Sequence, residues 1–181
     1  MNTVIWKELS KELRDGVTEK GHPFRYCTMA TVGLERMPRL RTVVLRKVSD
    51  NLDLSIYTDQ RSKKIMHIKE NNRVSLLFYH PEKMVQIKIE GLAGIHTDPK
   101  TLEKHWNKIK PGGRKDYTTS EAPGSDILDP HAVEYLEDNN YFCMVEIEPF
   151  KIEYLKLQQP GHLRIKYSKI DHSWKSEFLV P

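Results

Sequence analysis

Residues 84–91 read Met-Val-Gln-Ile-Lys-Ile-Glu-Gly. Val85, Ile87 and Ile89 alternate with Gln86, Lys88 and Glu90, the period of a strand with one face on a core and the other on water. Similar segments lie on both sides. Arg25–Val32, Leu40–Val48 and Leu52–Thr58 precede it; they are short, rich in β-branched and aromatic residues, and separated by turn-like pieces such as Ser49-Asp50-Asn51. Val74–Tyr79 is almost continuously apolar and reads as a more buried strand. Phe142–Leu157, Leu163–Ile170 and Trp174–Val180 supply three more, with Val145, Ile147, Ile152 and Tyr154 again interleaved with charge.

Helices interrupt this series. Ile5, Trp6, Leu9 and Leu13 give helical spacing over Thr3–Thr18, and Gly16 and Gly21 then punctuate the chain. Arg61–Glu70 and Lys100–Ile109 are two more expected helices, and Asp129–Asp138 is a fourth, with Pro130 near its first position. Strands following one another without sustained βαβ alternation predict a mainly β fold, a closed antiparallel barrel with added helices. No internal repeat or boundary divides residues 1–181, so one domain is expected.

Composition narrows the function. Apolar residues make up 38% and charged residues 30% of the 181, an ordinary globular balance. A net charge of +4 favours anionic ligands mildly, without the basic stripe of a nucleic-acid binder. Cys27 and Cys143 sit in apolar strand-like stretches without metal-ligand spacing, so buried thiols in a reducing compartment are expected, and no metal. The first fifteen residues mix Trp6 and Leu9 with six charged side chains, unlike a signal peptide. No stretch approaches the roughly 20 apolar residues of a membrane span. A cytoplasmic protein without a membrane partner is the expectation.

Three features carry chemistry. In Arg41-Thr-Val-Val-Leu-Arg46, alternation puts Arg41, Val43 and Leu45 on one face and Thr42, Val44 and Arg46 on the other. An arginine in such a strand must reach water, an acid or a bound anion. Tyr57-Thr58-Asp59-Gln60-Arg61-Ser62-Lys63-Lys64 joins a strand to a helix, whose N-terminus offers free N–H groups beside a hydroxyl and two cations. Together with Arg41 these make a candidate phosphate site. Gln86 can both donate and accept, which suits the edge of a flavin ring.

The order Arg-x-Val-Val-Leu-Arg, Tyr-Thr-x-x-x-Ser-Lys-Lys, Leu-Leu-Phe, Gln-Ile-x-Ile-x-Gly resembles the pyridoxamine 5′-phosphate oxidase-like family of FMN-binding split β-barrels over roughly Phe24 to Ser125. Trp174-Lys-Ser-Glu-Phe-Leu-Val-Pro181 extends the likeness to the closing segment. The resemblance implies an FMN-dependent oxidoreductase. Arg41, Ser62, Lys63 and Lys64 would hold the FMN phosphate. Thr42, Val43, Val44 and Leu45, with Tyr57 and Thr58, would line the ribityl chain and ring, and Gln86 would face the ring edge. The flavin would lie at the interface of a homodimer, with Ser125 as the contact from the second subunit.

The chain also departs from that family. Arg46 stands where the oxidases carry a substrate-contacting lysine, and His162-Leu163-Arg164-Ile165-Lys166 where they carry an Arg-x-His pair. Lys110, Arg114 and Lys115 are basic but differently placed from the substrate-phosphate residues. The implied substrate is therefore a small, phosphorylated or otherwise anionic molecule. Competing readings are a non-catalytic or regulatory flavin binder, a barrel holding deazaflavin or haem, and a small nucleic-acid-binding barrel. His67, His96, His105, His131 and His172 follow no ligand or triad spacing and read as ordinary imidazoles.

Overall fold

A computed structural model describes all residues 1–181. Eight antiparallel strands form one sheet: β1 (Tyr26–Val32), β2 (Pro38–Val48), β3 (Leu54–Asp59), β4 (Arg73–His80), β5 (Val85–His96), β6 (Phe142–Lys156), β7 (Leu163–Ile170) and β8 (Ser173–Leu179). Their spatial order is β3-β2-β1-β4-β5-β6-β7-β8, and a further β3–β6 pairing closes the first six into a barrel. The alternation seen in the sequence is the inside–outside alternation of that barrel. Met29, Leu45, Ile56, Leu76, Ile87, Ile89, Val145 and Ile147 fill its interior without solvent exposure.

The barrel is split because β6 changes partner. Its first half, Phe142 to Ile147, pairs with β3, whereas Lys151 to Lys156 pair with β7. Pro149 sits between them opposite Gly91, where the β5–β6 register slips. Proline has no N–H to give to a ladder, so a bulge is the natural place for it. A Cβ on Gly91 would meet the Glu148 carbonyl and Ile147 side chain at 2.7 Å, which is why this position has none.

Helix α1 (Thr3–Thr18) is capped by Asn2, whose side chain accepts from the Ile5 N–H at 3.2 Å. Its apolar stripe seals one end of the barrel with Leu9 and Leu13, while Trp6 packs on Tyr167 of β7 and Trp174 of β8, ring centres 4.9 and 5.1 Å away. Below α1, Glu12, His22 and His80 form a buried cluster. Both imidazoles accept backbone N–H groups at Nδ1, from Phe24 and Lys83. This leaves the proton of each imidazole on Nε2; His22 Nε2 lies 3.4 Å from Glu12 Oε2, which has no hydrogen-bond partner, and Lys83 pairs with Glu12 Oε1.

Helix α2 (Lys63–Glu70) connects β3 to β4, and α3 (Pro99–Trp106), capped by Asp98, follows β5. The helix expected over Asp129–Asp138 does not form. Its backbone pairs instead with the preceding loop: the Ser120 N–H donates to Glu134 O and the Leu136 N–H to Thr118 O, with an isolated bridge between Thr119 and Tyr135. Ala132, Val133 and Leu136 offer only a short apolar stripe, and a helix of this length is marginal without packing, so the bonds to the preceding loop win over a local helix. Cys27 and Cys143 are free and buried, and burial pushes their thiols up to about 12 and about 11.

Candidate functional site

At the junction of β2, β3 and the start of α2 lies a cleft of about 350 Å³, within the size range of small-ligand sites. Arg41, Thr42, Val43, Val44 and Arg46 of β2 form one wall, Tyr57, Thr58 and Asp59 of β3 with Lys64 a second, and Asp116, Tyr117 and Pro123 a rim.

Two cations enter the cleft without a carboxylate to meet them. The Arg41 guanidinium donates to the Met29 carbonyl at 3.3 Å and the Thr31 hydroxyl at 2.8 Å. Lys64 Nζ donates to Thr58 Oγ1 at 2.6 Å and Ser62 Oγ at 3.2 Å. Burial lowers the pKa of both, and Arg41 adds to the effect on Lys64. Ser62 is the N-cap of α2, yet its hydroxyl caps no N–H of the helix. A pair of partly desolvated cations at a helix N-terminus, with two hydroxyls between strand and helix, makes a positive hole suited to a phosphate dianion.

Further along, Arg46 lies with its guanidinium carbon 5.4 Å from the Tyr57 ring centre, and its buried Nε has no partner. Tyr57 Oη shares a 2.7 Å hydrogen bond with His105 Nδ1, and its ring packs edge-on against Phe142 at 5.0 Å. Burial raises the Tyr57 pKa, opposed by Arg46; burial also lowers that of His105, helped by neighbouring lysines. Tyr117, Ile109 and Phe142 form a small satellite core behind this wall, with Trp106 packed on it.

The rim is held by Arg61. Its guanidinium grips the buried Asp59 carboxylate through Nε at 3.1 Å and Nη2 at 2.7 Å, and donates to the Thr119 and Ser120 carbonyls, both at 2.8 Å. It also lies 3.3 Å from the centre of the Tyr141 ring. The turn entering α2 is thereby tied to the loop that carries Asp116, Tyr117 and Pro123.

The expected site residues divide into four groups. Arg41, Thr42, Val43, Val44, Arg46, Tyr57, Thr58 and Lys64 meet at the cleft, with Ser62 bonded to its Lys64 wall. Leu45 points into the barrel core and is fully buried, so only its backbone is available to a ligand. Lys63 is exposed and lines a neighbouring hollow of about 560 Å³ on the other side of Arg41. Gln86 and Ser125 do not line the cleft. Gln86 lies on the outer face of β5 between Tyr79 and Leu155, and Ser125 lines a separate hollow of about 330 Å³ under the 119–134 loops. Sequence reading missed Asp116, Tyr117 and Pro123, which reach the cleft through a loop. It also passed over Asp59 and Arg61, although both stand inside the motif that it singled out.

A split barrel with an anion hole between a strand and the following helix suits a phosphate-bearing ligand, and comparison with known proteins identifies the family. Residues 3–97 match the family model described as "Pyridoxamine 5'-phosphate oxidase, FMN-binding domain", so the chain belongs to that family and its cofactor is FMN. The chain is 28% identical over 199 residues to pyridoxine/pyridoxamine 5′-phosphate oxidase 2 of Arabidopsis thaliana, covering 97% of this chain and 96% of that protein. It is 29% identical over 170 residues to the pyridoxine/pyridoxamine 5′-phosphate oxidase of Vibrio cholerae, covering 85% and 78%. Among solved structures, a pyridoxamine 5′-phosphate oxidase-related, FMN-binding protein from Nostoc punctiforme superposes with a TM-score of 0.80 at 22% identity, over 97% and 96% of the two chains. PhzG from Burkholderia lata gives 0.79 at 20%, over 99% and 91%.

Proposed function

We propose that the chain is an FMN-dependent oxidoreductase acting on a small anionic molecule, working as a homodimer with the flavin at the subunit interface. The observation that carries this reading is the pair Arg41 and Lys64, partly desolvated and lacking any acidic partner, in the stretch matched by the FMN-binding domain. Arg41, Ser62 and Lys64 hold the phosphate, with Lys63 approaching from the outer side. Thr42, Val44 and Thr58 line the ribityl chain, and Tyr57 braces the ring side of the cleft. Bound FMN supplies the two-electron acceptor, and the protein's task is to orient it, exclude water and present the substrate.

Two features support the dimer. The outer face of β1, β2 and β4 exposes Tyr26, Leu40, Leu77 and Tyr79, an apolar surface next to the cleft. Gln86 lies at the end of that face, so a second subunit docked there would bring further polar groups to the flavin. Residues 1–181 act in this reading as one domain, with the free buried thiols suited to the cytoplasm.

Arg46 is the group we assign to the substrate anion. Four other basic candidates are engaged: Arg164 with Glu153 at 2.8 Å, Lys166 with Glu177 at 2.7 Å, Arg114 with the Ile109 carbonyl and Trp106 ring, and Lys115 with the Tyr135 ring, whereas Lys110 does not line the cleft. Those engagements favour a substrate held differently from pyridoxamine phosphate in the oxidases. The first test is the visible spectrum of the purified protein after FMN is added and excess removed. About one flavin per subunit, reduced anaerobically by an amine or alcohol phosphate, supports the enzyme; flavin reduced by dithionite alone supports a non-catalytic binder. No retained flavin refutes the site.

A further inference from the structure

Behind the phosphate-binding arginine, side chains from three elements are strung together. Arg41 on β2 donates from Nη1 to Thr31 Oγ1 on β1 at 2.8 Å, and that hydroxyl lies 3.0 Å from His67 Nδ1 on α2. Thr31 and His67 are buried, with 2% and 6% exposure. Chemistry fixes the direction of the chain of bonds. A guanidinium only donates, so the threonine oxygen accepts from Arg41. Its single hydroxyl proton has no other acceptor and goes to Nδ1. His67 is therefore neutral and carries its own proton on Nε2. The surroundings favour this form: burial, then Arg41, Arg39 and Lys63, push the His67 pKa below its usual value.

The arrangement has a consequence for binding. A free arginine side chain has rotamer entropy to lose when an anion orders it. A guanidinium already fastened at one nitrogen loses less, and the remaining N–H groups are aimed before the ligand arrives. Arg41 lies between the cleft holding Lys64 and the hollow holding Lys63 and His67, so its orientation decides whether both lysines can share one phosphate with it.

We propose that Thr31 and His67 are positioning residues for the phosphate of FMN, acting through Arg41, and that they set the preference of this chain for FMN over its unphosphorylated form, riboflavin. The proposal rests on the reading that Arg41 holds the FMN phosphate. It predicts an effect confined to the phosphate, which a merely structural role would not produce.

The test measures FMN and riboflavin affinity of the full-length apoprotein by flavin fluorescence. Thr31→Val and His67→Leu each weaken FMN about five- to tenfold, the scale of one hydrogen bond to a charged group, and leave riboflavin unchanged. His67→Asn puts an amide oxygen near the position of Nδ1 and restores FMN to within about twofold of the wild type. In an Arg41→Ala background, Thr31→Val has no further effect. Equal loss of FMN and riboflavin, or a Thr31→Val effect undiminished in the Arg41→Ala background, overturns the proposal. Arg41→Ala weakening FMN while Thr31→Val and His67→Leu do not also overturns it, but leaves the phosphate reading standing. Unchanged FMN affinity in Arg41→Ala removes both.

Discussion

Replacing Arg61 with alanine isolates the contribution of the clamp between the α2 turn and the cleft rim. The side chain of Asp59 is 2% exposed and that of Arg61 20%, so the pair is close to fully desolvated on the acidic side. Truncation removes both side-chain bonds to Asp59 and the bonds to the Thr119 and Ser120 carbonyls, leaving the carboxylate only the Arg61 backbone N–H at 2.7 Å. Breaking a buried pair from one side costs about 3–5 kcal/mol. The loop carbonyls can turn to water and the arginine is partly wet, so the lower end applies, about 3 kcal/mol. For a chain of this length that is roughly 6–12 °C in melting temperature.

The assay is urea and thermal unfolding of the apoprotein, followed by FMN titration. Because Asp116, Tyr117 and Pro123 line the cleft, FMN affinity should fall as well, by about tenfold. Adding Asp59→Asn to Arg61→Ala removes the stranded charge and should recover about 1–2 kcal/mol. A loss below about 1 kcal/mol in Arg61→Ala, or no recovery in the double variant, would show that the clamp is ornamental and that the rim is held by something else.

Other perturbations have equally definite signs. If Arg41 and Lys64 hold the phosphate as proposed, Arg41→Ala with Lys64→Ala removes two charge-assisted contacts worth about 3–6 kcal/mol, so FMN affinity should fall a hundredfold or more; retained FMN sinks the site. Gly91→Ala drives a methyl into the Glu148 carbonyl at the split and should cost about 1–3 kcal/mol by denaturant unfolding, whereas Gly94→Ala, whose nearest contact is 3.9 Å, should be nearly neutral. Burial opposes ionisation of Glu153, but hydrogen bonds from Arg164 and Lys88 outweigh it and hold the carboxyl at about 2, below its ordinary 4.5. Its folded-state pKa is depressed, so its contribution is complete above pH 4.5 and is lost as the pH falls towards 2; Glu153→Gln should flatten the stability profile across that window, and an unchanged acid limb would refute the assignment.

The barrel was legible because its code is local. A two-residue period survives wherever one strand face is buried, and Val85, Ile87 and Ile89 show it within eight residues of chain. The failure at 129–138 has the opposite origin. Nothing local in that segment decides its conformation; bonds to Thr118 and Ser120, ten or more residues back, do. The anion hole was legible for a similar reason, since strand β2 and the β3–α2 turn each carry their cations in short motifs.

What stayed hidden is the layer that fixes those motifs in place. Thr31 stood among the β-branched residues of a strand and His67 read as an ordinary imidazole, because the contact between them spans 36 residues; Arg61 stood at the start of an expected helix, and its bonds to the Thr119 and Ser120 carbonyls span 58 and 59. The same distinction bears on function. Arg41 and Lys64 can be recognised from residue type and order, but whether they bind FMN tightly depends on how much freedom they must still lose. In the reading proposed above, that quantity is set by Thr31, His67, Thr58 and Ser62, all buried. Substitutions in this neutral layer should therefore alter affinity without altering the motif, and two chains with identical phosphate-binding residues can differ in FMN retention through it alone.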